Sequence, residues 1–157
     1  MMALGWPRLE WLSPWRRTHQ RTTKKEHALS DQQRSDVTPG FEDDIIRWVR
    51  LAVEAAEDKL GQRTDAFFVG DVLAITDWFV ITSGRNNRQV RAIVDGIEEA
   101  VTRAGGPKPV RIEGRDTMSW VLMDYGFFVV HVFTDEAREY YDLERLWRDV
   151  PRLEQSA

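Results

Sequence analysis

Between Trp120 and Phe133 the chain reads Trp-Val-Leu-Met-Asp-Tyr-Gly-Phe-Phe-Val-Val-His-Val-Phe. The run is shorter than the roughly 20 residues of a membrane span. It is rich in the β-branched and aromatic residues that favour extended chain. Gly126, just behind Asp124 and Tyr125, offers the permissive backbone of a tight turn. The run therefore predicts two neighbouring strands, Met118 to Tyr125 and Phe127 to Phe133. Alternation sends Trp120, Leu122 and Asp124 to one face and Val121, Met123 and Tyr125 to the other. In the second strand Phe127, Val129, His131 and Phe133 share a face. Both faces carry large apolar groups. One face packs on helices, or it lends its aromatic and acidic side chains to a partner; the residues alone leave both open.

The flanking segments have their own signals. Ile45, Val49, Ala52, Ala56 and Leu60 recur at helical spacing, with acids in the first turn and Gly61 as a stop, so a helix is expected over Glu42 to Leu60. Asp65 to Val72 and Asp77 to Thr82 read as strands, joined by a partly extended connection. Ser83-Gly84-Arg85-Asn86 then leads into a helix over Asn87 to Ala104. Val90, Ile93, Val94, Ile97 and Val101 form its apolar stripe. Asn86 suits an N-cap and Gly105-Gly106 a stop. Pro109 to Glu113 is a short strand whose proline fits only at its start. Thr134 caps a last helix, expected to run to Arg148 and stopped by Pro151. This order predicts a small mixed β-sheet covered by helices, an α/β fold of the α+β kind.

Charge divides the chain. Residues 1–40 hold seven Lys or Arg against four acids, a net +3, while the remainder holds 15 against 22, a net −7. Pro7, Pro14 and Pro39 interrupt the first segment, which is polar from Thr18 to Ser35. It is expected to be a disordered basic extension, with a domain over 41–153 and a short tail over 154–157. No apolar core follows a basic start, and Arg16-Arg17 precedes Thr-His-Gln, so the start does not read as a secretory signal. Val37 would serve as an alternative initiator, just ahead of the first helix. The acidic domain is repelled by phosphate backbones and drawn to basic proteins, so direct nucleic-acid binding is not expected as its main activity. The chain has no cysteine, which excludes thiolate metal sites and a cysteine nucleophile and fits a reducing compartment.

Catalytic chemistry finds little support. His131 is the one histidine outside the first forty residues, so a His-rich metal site is excluded there. The Ser83-Gly84-Arg85-Asn86 turn could meet a phosphate at a helix start. It carries neither phosphate-loop glycine pattern, and a helix cap explains it as well. Glu42-Asp43-Asp44 reads as charge placed on a helix dipole. Asp65, Asp71, Asp77 and Asp124 stand at strand ends without the close pair a two-metal site needs.

Six segments together resemble the ribosomal silencing factor family, the Iojap-type proteins. They are Ile75-Thr-Asp-Trp-Phe-Val-Ile81, Asn87-Arg-Gln-Val-Arg-Ala-Ile-Val-Asp95, Arg111-Ile-Glu-Gly114, Trp120-Val-Leu-Met-Asp-Tyr-Gly126, Val129-Val-His-Val-Phe133 and Tyr140-Tyr-Asp-Leu-Glu-Arg-Leu-Trp147. The resemblance implies a nucleotidyltransferase-like fold without catalytic residues. It implies a translational repressor that binds the large ribosomal subunit through protein L-fourteen and blocks joining of the small subunit, with a further role in large-subunit assembly. It implies no enzyme activity and no cofactor, a cytoplasmic protein without membrane attachment, and leaves room for a homodimer when free. A nucleotide-binding or nucleotidyl-transfer enzyme on the same fold is the alternative. Two departures stand out. Phe127 occupies a position where the family usually has an acid, and Thr82-Ser-Gly-Arg-Asn86 replaces a Thr-Gly-x-Ser turn. On this reading Trp120, Leu122, Asp124, Tyr125 and His131 are the partner-binding residues, with Trp120 as the anchor.

Overall fold

The computed structural model describes residues 40–154. The expectations for residues 1–39 and for 155–157 lie outside the described residues. Glu42 onward forms a compact unit. Its elements are α1 (Phe41–Asp58), β1 (Gln62–Phe68), β2 (Trp78–Gly84), α2 (Asn87–Arg103), β3 (Arg111–Glu113), β4 (Trp120–Asp124), β5 (Phe128–Thr134) and α3 (Asp135–Tyr141), followed by a 3-10 turn (Leu143–Trp147). The five strands form one sheet in the order β1-β2-β5-β4-β3. The β2–β5 pair is parallel and the other three pairs are antiparallel. The fold is thus the expected α+β arrangement with a mixed sheet.

Register assigns the two faces. Trp120 pairs with Phe133, Leu122 with His131 and Asp124 with Val129. Phe79, Ile81 and Ser83 stand beside Val129, His131 and Phe133 on β2. The C-terminal segment covers this first face. Tyr141 meets the Trp120 ring at 4.6 Å and Trp147 meets Phe79 edge-on at 5.4 Å. The second face presents Val80, Val121, Met123, Val130 and Val132, all fully buried. α2 packs on β2, β4 and β5 with Val90, Ile93, Val94, Ile97 and Val101 turned inward. α1 runs antiparallel to α2. Its Trp48 lies against Gly106, just past the end of α2, while the Gln89 side chain at the start of α2 donates to the carbonyls of Lys59 and Leu60.

Three expectations are corrected. The first strand ends at Phe68 rather than Val72: Val72 and Leu73 both donate to the Val69 carbonyl and fold the chain into turns before the connection. The last helix does not run to Arg148. Asp142 adopts a left-handed conformation, φ 44°, closes α3 and starts the 3-10 turn that seats Leu143 and Trp147 in the core. β1 begins earlier than expected, at Gln62, with an irregularity before Asp65 where Arg63 has φ 48°. Among the described residues no helix is long and apolar enough to cross a membrane.

Candidate partner-binding site

The β4–β5 hairpin is built around its turn. Asp124 Oδ1 accepts from the Gly126 amide at 2.8 Å, and the Tyr125 amide donates to the Phe128 carbonyl at 3.0 Å. Gly126 takes φ 87°, which a residue without Cβ reaches at no steric cost. Tyr125 then stacks flat on Phe128, centroids 4.5 Å apart. The turn therefore needs a short acceptor at 124 and glycine at 126, which is what the sequence supplies.

A second glycine fixes the neighbouring strand. Gly114, φ 86°, lies so close to β4 that a Cβ there would stand 2.0 Å from the Trp120 carbonyl oxygen. Only glycine lets the chain leave β3 and pass this point. Further on, the amide of Thr134 reaches the Ser119 carbonyl at 2.8 Å, so the hairpin is closed at both ends.

Trp120, Leu122, Asp124, Tyr125 and His131 are all 4% exposed or less. The structure brings Trp120, Leu122, Asp124 and His131 together on one face and sends Tyr125 to the other. The expectation that Trp120 stands open as an anchor is corrected, because α3 and its own neighbours cover it. Its ring stacks on Phe133 at 4.8 Å and against Tyr141. Its indole N–H donates to His131 Nδ1 at 3.2 Å. Burial pushes the His131 imidazole down to about 3. The ring is therefore neutral with its proton on Nε2, and that atom has no hydrogen-bond partner. The Tyr125 hydroxyl is also buried without a partner, and burial, aided by the charge of Glu98, pushes it up from its ordinary value. Of the hairpin's large side chains it is Phe127, at the turn, that is exposed.

The Ser83–Asn86 turn is a helix cap. Asn86 Oδ1 accepts from the Gln89 amide at 2.9 Å, and the Arg85 amide donates to Gln89 Oε1 at 2.8 Å. Those two amides are used within the turn. Among the described residues no three His, Asp or Glu side chains gather as a metal-binding group.

One residue escaped the sequence reading. Arg138 of α3 is buried and spreads its guanidinium over four partners: the carbonyls of Gln62 and Arg63 at 2.8 and 2.6 Å, Ser83 Oγ at 3.2 Å, and the Glu144 carboxylate. Burial lowers its pKa from the ordinary value and Glu144 works against that. It pins the C-terminal segment to the β1–β2 edge. Its partners lie up to 76 positions away, so no local pattern marks it.

A family model described as "Ribosomal silencing factor during starvation" matches residues 42–157. The chain belongs to the ribosomal silencing factor family. Its compact unit and the matched segment coincide at Glu42. The ribosomal silencing factor of Halalkalibacterium halodurans is 39% identical over 106 residues, which is 68% of this chain and 90% of that protein. The mouse protein named mitochondrial assembly of ribosomal large subunit protein 1 is 38% identical over 74 residues, 46% of this chain and 32% of its own length. A crystal structure of a Chromobacterium violaceum protein superposes with a TM-score of 0.64 at 32% identity, covering 71% of this chain and 90% of the other. Ribosomal silencing factors are regulators by name.

Proposed function

We propose that this protein binds the large ribosomal subunit through protein L-fourteen and blocks joining of the small subunit. Translation then falls by occlusion rather than by any catalysed step, and the protein works in the cytoplasm. A role in large-subunit assembly is part of the same reading, supported by the name of the mouse relative. The match of the family model over residues 42–157 is the observation that carries it. The net −7 charge outside residues 1–40 supports a basic protein partner over nucleic acid. Within this reading the β4–β5 hairpin serves partner binding. Asp124 and Tyr125 act from beneath the surface by holding its turn in place, and Trp120, Leu122 and His131 act by packing the strand pair that carries the turn. A titration of purified protein against isolated L-fourteen tests the partner. Saturable binding is expected, and magnesium-dependent turnover of a nucleoside triphosphate would contradict the occlusion reading.

A further inference from the structure

Four large apolar side chains stand exposed at one end of the sheet: Val72 at 64%, Ile75 at 37%, Val110 at 77% and Phe127 at 46%. Single exposed apolar residues are ordinary on any surface. These four are supplied by three separate segments that the backbone ties together. The Phe127 carbonyl accepts from the amides of Asp77 and Trp78, which binds the β4–β5 turn to the β1–β2 connection. Val69 donates to the Asp77 carbonyl at 2.8 Å and holds the base of that connection closed. Val110 donates to the Asp124 carbonyl at 2.7 Å, which sets the approach to β3 against the same turn. The apolar side chains thus crown one rim of the sheet, on backbone that is hydrogen-bonded on each side. Leu60, another exposed large apolar residue, lies at the opposite end, where Gln62 pairs with Ser83.

The charge around this rim has one prevailing sign. Asp71 is exposed beside Val72. Because α1 is antiparallel to α2, its first turn lies at the same end, and it carries exposed Glu42, Asp43 and Asp44. The exposed bases at this end are fewer: Arg47 in the second turn of α1 and Lys108 on the approach to β3, while Arg103 at the end of α2 is paired with Glu99, and Arg148 and Asp149 offset one another on the C-terminal segment. Arg152 is exposed but lies over the Phe67 ring, 4.9 Å from its centroid, with its charge facing Asp65 at 3.9 Å. An apolar centre with an acidic surround complements a protein surface whose own apolar residues sit among Lys and Arg.

We infer that this rim, centred on Val72, Ile75, Val110 and Phe127, is the docking surface for a basic folded protein of the large subunit. The inference rests on the proposed function and adds to it the surface that makes contact. Asp124 and Tyr125 at the turn position Phe127, and the rim side chains touch the partner.

The test compares three forms of the full chain: wild type, the double variant Val72→Lys with Val110→Lys, and Leu60→Lys as a control at the far end. All three positions are exposed, so folding is expected to be kept, and circular dichroism melting checks it. Each form is titrated against purified large subunits and against isolated L-fourteen. The double variant is expected to bind roughly 30-fold more weakly, the loss typical of an interface anchor, while Leu60→Lys stays near wild type. Wild-type affinity in a folded double variant overturns the assignment while leaving the proposed function standing. Failure of the wild type to bind large subunits removes both. Binding of the wild type to ribosomal RNA stripped of protein, undiminished in strength, also overturns it. So does a wild-type dimer that the double substitution dissociates without loss of subunit binding, since the rim would then serve self-association.

Discussion

Trp120 and His131 are joined side chain to side chain inside the sheet's first face, indole N–H to imidazole Nδ1 at 3.2 Å. The bond crosses from β4 to β5 on the diagonal, two residues off the direct pairs Trp120–Phe133 and Leu122–His131. It fixes the imidazole tautomer and requires the ring to stay neutral, because a protonated Nδ1 could not accept. The fold therefore carries a proton-sensitive contact at its centre.

Stability should fall with acid, and the sign follows from that contact. The folded His131 titrates near 3 and the unfolded one near its ordinary value of about 6.5. Between those values the unfolded chain binds a proton that the folded chain refuses. Its stabilisation is complete above about pH 6.5 and is lost progressively as pH falls toward 3, at up to ~1.4 kcal/mol per pH unit. Urea unfolding at several pH values should show this slope in the wild type and a shallower one in His131→Phe. Equal slopes would remove His131 from the effect.

Trp120→Ala should cost the domain about 3–5 kcal/mol, because it removes a buried ring stacked on Phe133 and Tyr141 and strands His131 Nδ1. Loss of subunit binding in that variant would then report unfolding, and the melting curve must be read beside the titration. A Trp120→Ala variant as stable as wild type would contradict the buried position.

Gly114→Ala and Gly126→Ala should differ although both glycines have positive φ. At Gly126 a Cβ meets nothing within 4 Å, so the cost is that of left-handed backbone alone, about 1 kcal/mol. At Gly114 the Cβ collides with the Trp120 carbonyl, so the cost should be about 3 kcal/mol or more. Denaturant midpoints measured on the pair decide it, and equal midpoints would contradict the close approach of the two backbones.

Leu60→Gly should stabilise. Leu60 ends α1 at φ 61° with its side chain exposed, so it bears left-handed strain with little packing in return. Glycine relieves that strain, for a gain of about 0.5–1 kcal/mol after its greater freedom in the unfolded chain. A lower melting temperature in Leu60→Gly would show that the leucine packs in a way its exposure does not suggest.

Much of this architecture can be read from local pattern. The stripes of α1 and α2, the Asn86 cap and the glycine after each helix place those helices within two residues. Strict alternation in Trp120–Phe133 gives the hairpin, its turn and which side chains share a face. The end of α3 was hidden because Tyr140-Tyr141-Asp142-Leu143 contains no glycine or proline. Asp142 adopts the left-handed conformation there while Leu143 and Trp147 are seated in the core, Trp147 against Phe79. The burial of Trp120 was hidden for a similar reason. Both faces of the hairpin are apolar and both are covered, and the cover over Trp120 comes from the distant return of Tyr141. Arg138 gathers acceptors from β1 and β2 across the whole domain. The rim of Val72, Ile75, Val110 and Phe127 is assembled from three loops, and no window of sequence contains it.

Occlusion of subunit joining is read most directly on sucrose gradients with purified ribosomal subunits and increasing amounts of the protein. The protein is expected to sediment with free large subunits, and the joined fraction to fall as it is added. Migration with small subunits, or joining that is unchanged at saturating protein, would contradict occlusion.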